Sequence, residues 1–289
     1  MKKYLFFLFQ TLGMWSFAQN PDIYLIDIAD NGEKYEVKYV LQLTQNKGYD
    51  NQPYFSPDGN SLYYSAKNVG ELHTDIYRFD IKNRAITAVT STPFESEFSP
   101  CMYDNKHISV VKVERDSSQR IWEYTISDYE KPHALLSRVK KIGYYAWITE
   151  TEAATFIVGN PHKLVLNSME SGEKPVDIAS DIGRTLHKVP NEKAVSYVQK
   201  SKTEPWKIMK WNMKGEKTEI ITALEGVEDF AWTSKGNLIC AKEGIVYRFN
   251  PKKDKEWVKV ADLTVHGINH CGRIAIHPKD EKLAIVVEK

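Results

Sequence analysis

Polar and charged side chains recur at one offset along this chain. Five residues before each of the turn positions Pro57, Pro100, Thr149, Pro190, Ser234 and Pro278 stand Gln52, Glu95, Tyr144, Thr185, Asp229 and Arg273. Six residues before them stand Asn51, Phe94, Gly143, Arg184, Glu228 and Gly272, with Asp50 and His270 close by. Equivalent segments arranged in a ring would bring these groups to one opening, and convergent polar groups at a concave mouth are the chemistry of a ligand site. The expected ligand-binding set is Asp50, Asn51, Gln52, Glu95, Tyr144, Arg184, Glu228, Asp229, His270 and Arg273. The competing reading is that these side chains bond one another and channel water, plugging the opening.

No motif assigns catalysis. Gly-x-Ser-x-Gly, His-Glu-x-x-His, a phosphate-cradling glycine loop and EF-hand spacing are all missing from the sequence. His266, His270 and Cys271 lie close in sequence, but consecutive residues of an extended strand point to opposite sides, so no metal is assigned there. Asp27, Asp30 and Asn31 read as ordinary turn chemistry. No catalytic residue, no metal ligand and no cofactor is expected.

The elements that must position the candidate set come from a repeat. Phe55-Ser56-Pro57-Asp58-Gly59 leads into the apolar run Leu62 to Ser65, and then into Asp75-Ile76-Tyr77-Arg78-Phe79-Asp80. Successive turn positions are 41 to 49 residues apart, the spacing of four-stranded propeller blades. After each comes a polar turn such as Asp58-Gly59, Asn191-Glu192 or Lys279-Asp280, and then a near-continuous apolar strand suited to burial on both faces. The second half of the phrase appears first, as Asp22-Ile23-Tyr24-Leu25-Ile26-Asp27. Its missing first half sits at the other end, as Ile274 to Pro278 and Leu283 to Val287.

A repeat divided in this way closes a ring. The expected fold is all-β, a six-bladed β-propeller of four-stranded antiparallel blades, with residues near 22 to 44 pairing with residues near 272 to 287. Residues 20–289 are expected to form one domain.

The unit resembles the TolB-like, WD-like β-propeller repeat of exported bacterial proteins. The match is close over Tyr49 to Thr90 and fair over Phe94 to Ser137, and elsewhere only strand order and spacing persist. The resemblance implies a propeller acting as a binding or interaction module, since such propellers occur as protein-binding modules and as gates on peptidases. Glu225-Gly226-Val227 with Trp232 faintly resembles the Glu-Gly-Pro opening of calcium-dependent lactonase propellers. A metal-dependent hydrolase or lactonase is accordingly one alternative, and a structural envelope component without a ligand is another.

Composition limits the partner. Lys2 and Lys3, the apolar run Tyr4 to Trp15, and Ser16-Phe17-Ala18 read as a signal peptide over residues 1–19. Its removal shifts the formal net charge from +1 to −1, a balance with no preference for nucleic acid or anionic membrane. The expected product is a periplasmic or secreted monomer without membrane insertion, its partner a protein, peptide or glycan. Cys101, Cys240 and Cys271 are expected as buried free thiols, with a Cys240–Cys271 disulfide as the alternative.

Overall fold

The structure, a computed structural model, describes residues 20–127, 129 and 132–288; the expected signal peptide lies outside the described residues. The chain starts with β1 (Asp22–Asp30) and β2 (Tyr35–Gln42). Blade 1 follows as β3 (Tyr49–Phe55), β4 (Ser61–Lys67), β5 (Asp75–Asp80) and β6 (Ala85–Ala88). Blade 2 is β7 (Ser96–Met102), β8 (His107–Val113), β9 (Gln119–Thr125) and β10 (His133–Leu135). Blade 3 is β11 (Ile142–Trp147), β12 (Glu152–Ile157), β13 (Lys163–Ser168) and β14 (Val176–Ser180). Blade 4 is β15 (Ile182–Lys188), β16 (Ala194–Gln199), β17 (Lys207–Asn212) and β18 (Lys217–Thr222). Blade 5 is β19 (Phe230–Trp232), β20 (Leu238–Lys242), β21 (Ile245–Phe249) and β22 (Val258–Asp262), before β23 (Cys271–Ile276) and β24 (Lys282–Val287).

The last two strands complete the first two. Their sheet runs β2-β1-β24-β23, with Asp22 opposite Val287 and Tyr24 opposite Ile285. The ring is therefore closed by backbone hydrogen bonds within blade 6. All six sheets have four antiparallel strands, as the repeat predicts.

Blade 1 shows why the sequence folds this way. In β4 every residue but Lys67 is buried, and alternate side chains serve different neighbours. Leu62 and Tyr64 pack with Ile23, Leu25 and Val286 of blade 6, whereas Tyr63 packs with Ile108, Val110 and Tyr124 of blade 2. This period-two division makes each second strand the core of two inter-blade interfaces. Each such Leu or Ile burial is worth about 1.5–3 kcal/mol. The outermost strand β6 is exposed at all its residues, as an edge facing water should be.

The turn of blade 1 also locks the closure. Asp58 Oδ1 accepts from Ser56 Oγ at 2.5 Å and from the Asn60 N–H at 3.0 Å. Gly59 has φ +75°, and a Cβ there would stand 2.3 Å from His277 Nε2 of blade 6. That nitrogen lies 3.0 Å from the Gly59 carbonyl oxygen.

One turn position is corrected. Pro100 lies inside β7, and the blade 2 turn falls at Tyr103 to Lys106. Its counterpart in blade 1 is Pro53, not Pro57. Both prolines follow a residue with positive φ, Gln52 at 58° and Ser99 at 53°, at irregularities in the pairing of β3 with β4 and of β7 with β8. A bulge needs no N–H for the ladder, so proline is tolerated there.

Candidate functional site

Each innermost strand begins on the same side of the ring, termed here the mouth face. Together β3, β7, β11, β15, β19 and β23 surround a central cavity of about 420 Å³. Its wall carries Gln52, Ser99, Tyr144, Arg184, Asp229 and Arg273 toward the mouth face, and Phe55, Met102, Trp147, Lys188, Trp232 and Ile276 toward the far face. Pairing irregularities in β3, β7, β11, β15 and β23 break the regular alternation next to Gln52, Ser99, Tyr144, Arg184 and Arg273, and bulges re-aim side chains in this way.

The two ends differ in chemistry. At the far end the indole N–H groups are tied back into the blades, Trp147 to Ser109 Oγ at 2.9 Å and Trp232 to Ser196 Oγ at 2.8 Å. At the mouth end Arg184 and Asp229, from neighbouring blades, form an ion pair at 2.5 Å, and Thr185 Oγ1 donates to Asp229 Oδ1 at 2.7 Å. Burial pushes the Asp229 carboxyl up, but the positive charges of Arg273 and Arg184 and the Thr185 hydroxyl outweigh it and hold its pKa below the usual value. Arg273 crosses the channel from blade 6 to blade 3, placing its guanidinium carbon 4.9 Å from the Tyr144 ring centroid. Burial pushes the pKa of His187, packed edge-on to Phe230, down to about 4, so it is neutral at physiological pH.

Charge in the wall is one-sided. Arg184, Lys188 and Arg273 face a single carboxylate, Asp229. In a chain of nearly balanced charge, this surplus is local to the channel.

Of the expected site residues, Gln52, Tyr144, Arg184, Asp229 and Arg273 line the cavity together. The others stand apart from its wall. Asp50 is buried and accepts from Asn46 Nδ2 at 3.1 Å, while Asn51 Oδ1 accepts from the Gln52 N–H at 2.8 Å. Glu95, in the connection just before β7, pairs with Lys112 of β8 at 2.7 Å. Glu228 accepts from the Arg184 N–H and pairs with Lys200 at 3.1 Å. Gly183 has no room for a side chain, since a Cβ would come within 2.9 Å of Glu228 Oε1 and of Val198. His270 is exposed in the loop before β23.

Ser99 falls outside the expected set because the sequence offset aligns Pro100 with a turn. The signal that finds it is the pair of dipeptides Gln52-Pro53 and Ser99-Pro100. All three cysteines are free thiols; Cys240 is buried as expected, whereas Cys101 and Cys271 are half-buried on the innermost strands β7 and β23. Among the described residues no group of three or more His, Cys, Asp or Glu side chains is arranged to hold a metal ion. No helix among them is long and apolar enough to cross a membrane.

Neither a family model nor a curated protein matches the sequence. Solved structures do match. TolB from Acinetobacter baumannii superimposes with a TM-score of 0.58 at 9% identity, over 93% of this chain and 64% of that one. A protein described as TolB from Agrobacterium tumefaciens gives 0.62 at 12% identity, over 94% of this chain and 99% of that one. The fold is a TolB-like propeller. An oligogalacturonate lyase from Vibrio parahaemolyticus also superimposes, with a TM-score of 0.54 at 13% identity, over 90% of this chain and 78% of that one. At these identities the likeness is one of fold, and a TolB-like ring can carry different sites.

Proposed function

We propose that this TolB-like propeller is an exported interaction module that receives an extended segment of a partner protein on its mouth face. The observation that carries this reading is the placement of exposed apolar side chains. Val69, Leu72, Phe94, Val158 and Val265 all stand in connections on the mouth face, Val265 in the short 3-10 turn Thr264–His266, with Leu72 84% and Val265 77% exposed. The other large exposed apolar residues among those described, Tyr39, Ile86, Val176 and Val258, lie on the outer strands β2, β6, β14 and β22. None lies in a far-face loop. Exposed apolar groups gathered on one side mark an interaction surface. On this face they surround a polar mouth, the pairing of apolar contact and directed hydrogen bonding that peptide recognition uses.

Export is part of the same reading, supported by the leader-like composition of residues 1–19. The test places a photo-crosslinking residue at Leu72 or at Lys214, an exposed far-face position, in the native envelope. A partner captured from Leu72 and not from Lys214 is expected. Capture from Lys214 alone, or from neither, overturns the assignment.

A further inference from the structure

We infer that the channel mouth is a carboxylate site, in which Arg273 and the Gln52 amide receive the free C-terminal carboxylate of a peptide entering from the mouth face. This rests on the reading of the mouth face as the partner side and names the chemistry that would be recognised there.

The argument is a count of donors and acceptors. Gln52 Oε1 accepts from Ser65 Oγ at 2.8 Å and from the Ser99 N–H at 2.7 Å, which fixes the orientation of the amide. Its NH2 group is thereby left on the opposite side, with no acceptor among the described residues. Ser99 Oγ, by contrast, is enclosed in the wall and does not reach the channel. Arg273 makes no ion pair within 4 Å among the described residues; its guanidinium rests on the face of Tyr144 and acts on Asp229 only through space. Two donor groups from blades 6 and 1, adjacent in the ring, thus line the mouth without an acceptor among the described residues.

The one carboxylate in the wall cannot serve them. Asp229 Oδ1 accepts from Thr185 and Arg184, and Oδ2 accepts from Arg184. An ionised carboxylate, which only accepts and offers about four lone-pair sites, is the group that satisfies several donors at once.

Charge selects among anions. At the mouth two guanidiniums face one carboxylate, leaving a single positive charge, which matches a monoanion better than a phosphate dianion. The planar fork of a guanidinium also matches two coplanar oxygens. A chain end enters a channel directly, whereas an acidic side chain within a loop would require the chain to double back. The cavity, about 420 Å³, falls within the roughly 300–1,000 Å³ of small-ligand sites.

The experiment uses the full mature chain labelled with ¹⁵N. N-acetyl-trialanine with a free carboxylate, the same peptide as its C-terminal amide, and inorganic phosphate are titrated at equal ionic strength. The acid is expected to shift the Gln52 side-chain amide and Arg273 Nε–H resonances saturably, with little response to the amide or to phosphate. Arg273→Ala and Gln52→Glu should each weaken the acid at least about tenfold while leaving the thermal midpoint within a few degrees. Equal responses to acid and amide, an equal response to phosphate, or unchanged acid binding in Arg273→Ala would overturn the carboxylate site. If the acid is silent while Leu72 still captures a partner, the carboxylate assignment falls and the mouth-face reading stands. If both are silent, the two fall together.

Discussion

Arg273 and Tyr144 belong to opposite blades of the ring, and the guanidinium of one lies 4.9 Å from the ring centroid of the other. The contact therefore spans the channel. A side chain anchored on one wall and resting on the far wall restricts the opening without a covalent link. Replacing both partners, Arg273→Met and Tyr144→Leu, in a double-mutant cycle should give a coupling of about 0.5–1 kcal/mol by urea unfolding. Zero coupling would mean that the two side chains do not rest on each other in solution.

Two buried groups should give opposite pH dependences. Glu97 is fully buried between blades 1 and 2, and burial pushes its pKa from 4.5 up to about 7, against the opposing effects of the Thr92 hydroxyl and Lys112. The folded state holds that proton more tightly, so this contribution is complete below pH 4.5 and is lost as the pH rises through about 7. His187 is the reverse. Its pKa is pushed from 6.5 down to about 4, so its contribution is complete above pH 6.5 and is lost as the pH falls through about 4. Each amounts to about 3 kcal/mol at 1.36 kcal/mol per pH unit, and over the shared range they cancel. In thermal unfolding, Glu97→Gln should lose stability on acidification from pH 6.5, while His187→Asn should gain it. Parallel profiles for the two variants would contradict this account.

Gly59→Ala should destabilise the ring more than a surface substitution does. Its φ of +75° costs an L-residue about 1–3 kcal/mol where the position is constrained, and the new Cβ would displace His277 from the closing blade. The expected signature is a lowered thermal midpoint with unchanged far-ultraviolet circular dichroism at low temperature. A midpoint within error of the parent would show that the turn relaxes freely.

Ile285→Ala should cost about 2–5 kcal/mol, because Ile285 is fully buried and packs among residues of blades 5 and 6. Val258→Ala on the outer strand β22, 38% exposed, should cost less than about 0.5 kcal/mol. Urea midpoints compare the two. Equal costs would mean that the closing strand is no more tightly held than the rim.

The cysteines should resist alkylation while the ring is intact. Burial pushes the Cys101 thiol from 9.0 up to about 12, and burial raises Cys240 and Cys271 as well. The thiolate is the nucleophile, so iodoacetamide at pH 8 should modify Cys101 about a thousandfold more slowly than in denaturant. Intact-mass spectrometry should find three additions after unfolding and none before. Rapid modification of the folded protein would place a thiol at the surface.

The ring was legible because a propeller repeats its chemistry. Short polar turns and doubly buried second strands such as β4 and β16 leave the same imprint in every blade, and the divided repeat could be completed only by pairing Tyr24 with Ile285. The channel was legible only where the register carried through. Gln52, Arg184, Asp229 and Arg273 fell at the expected offset, but Ser99 did not, since a proline within a bulged strand looks in sequence like a proline in a turn. Glu95 was placed at the mouth by that same slip and instead pairs with Lys112. Which donors lack acceptors was not legible at all. It depends on which way the Gln52 amide faces, a matter of contacts with Ser65 and with the backbone of the next blade.

Because β24 lies between β1 and β23, β1 cannot be seated in its blade until β24, the last of the described strands, has been made. A chain stopped between Ile276 and Lys282 leaves the facing edges of β1 and β23 exposed and five complete blades without the sheet that closes them. A protease that spares the closed ring is therefore expected to digest a chain that lacks β24.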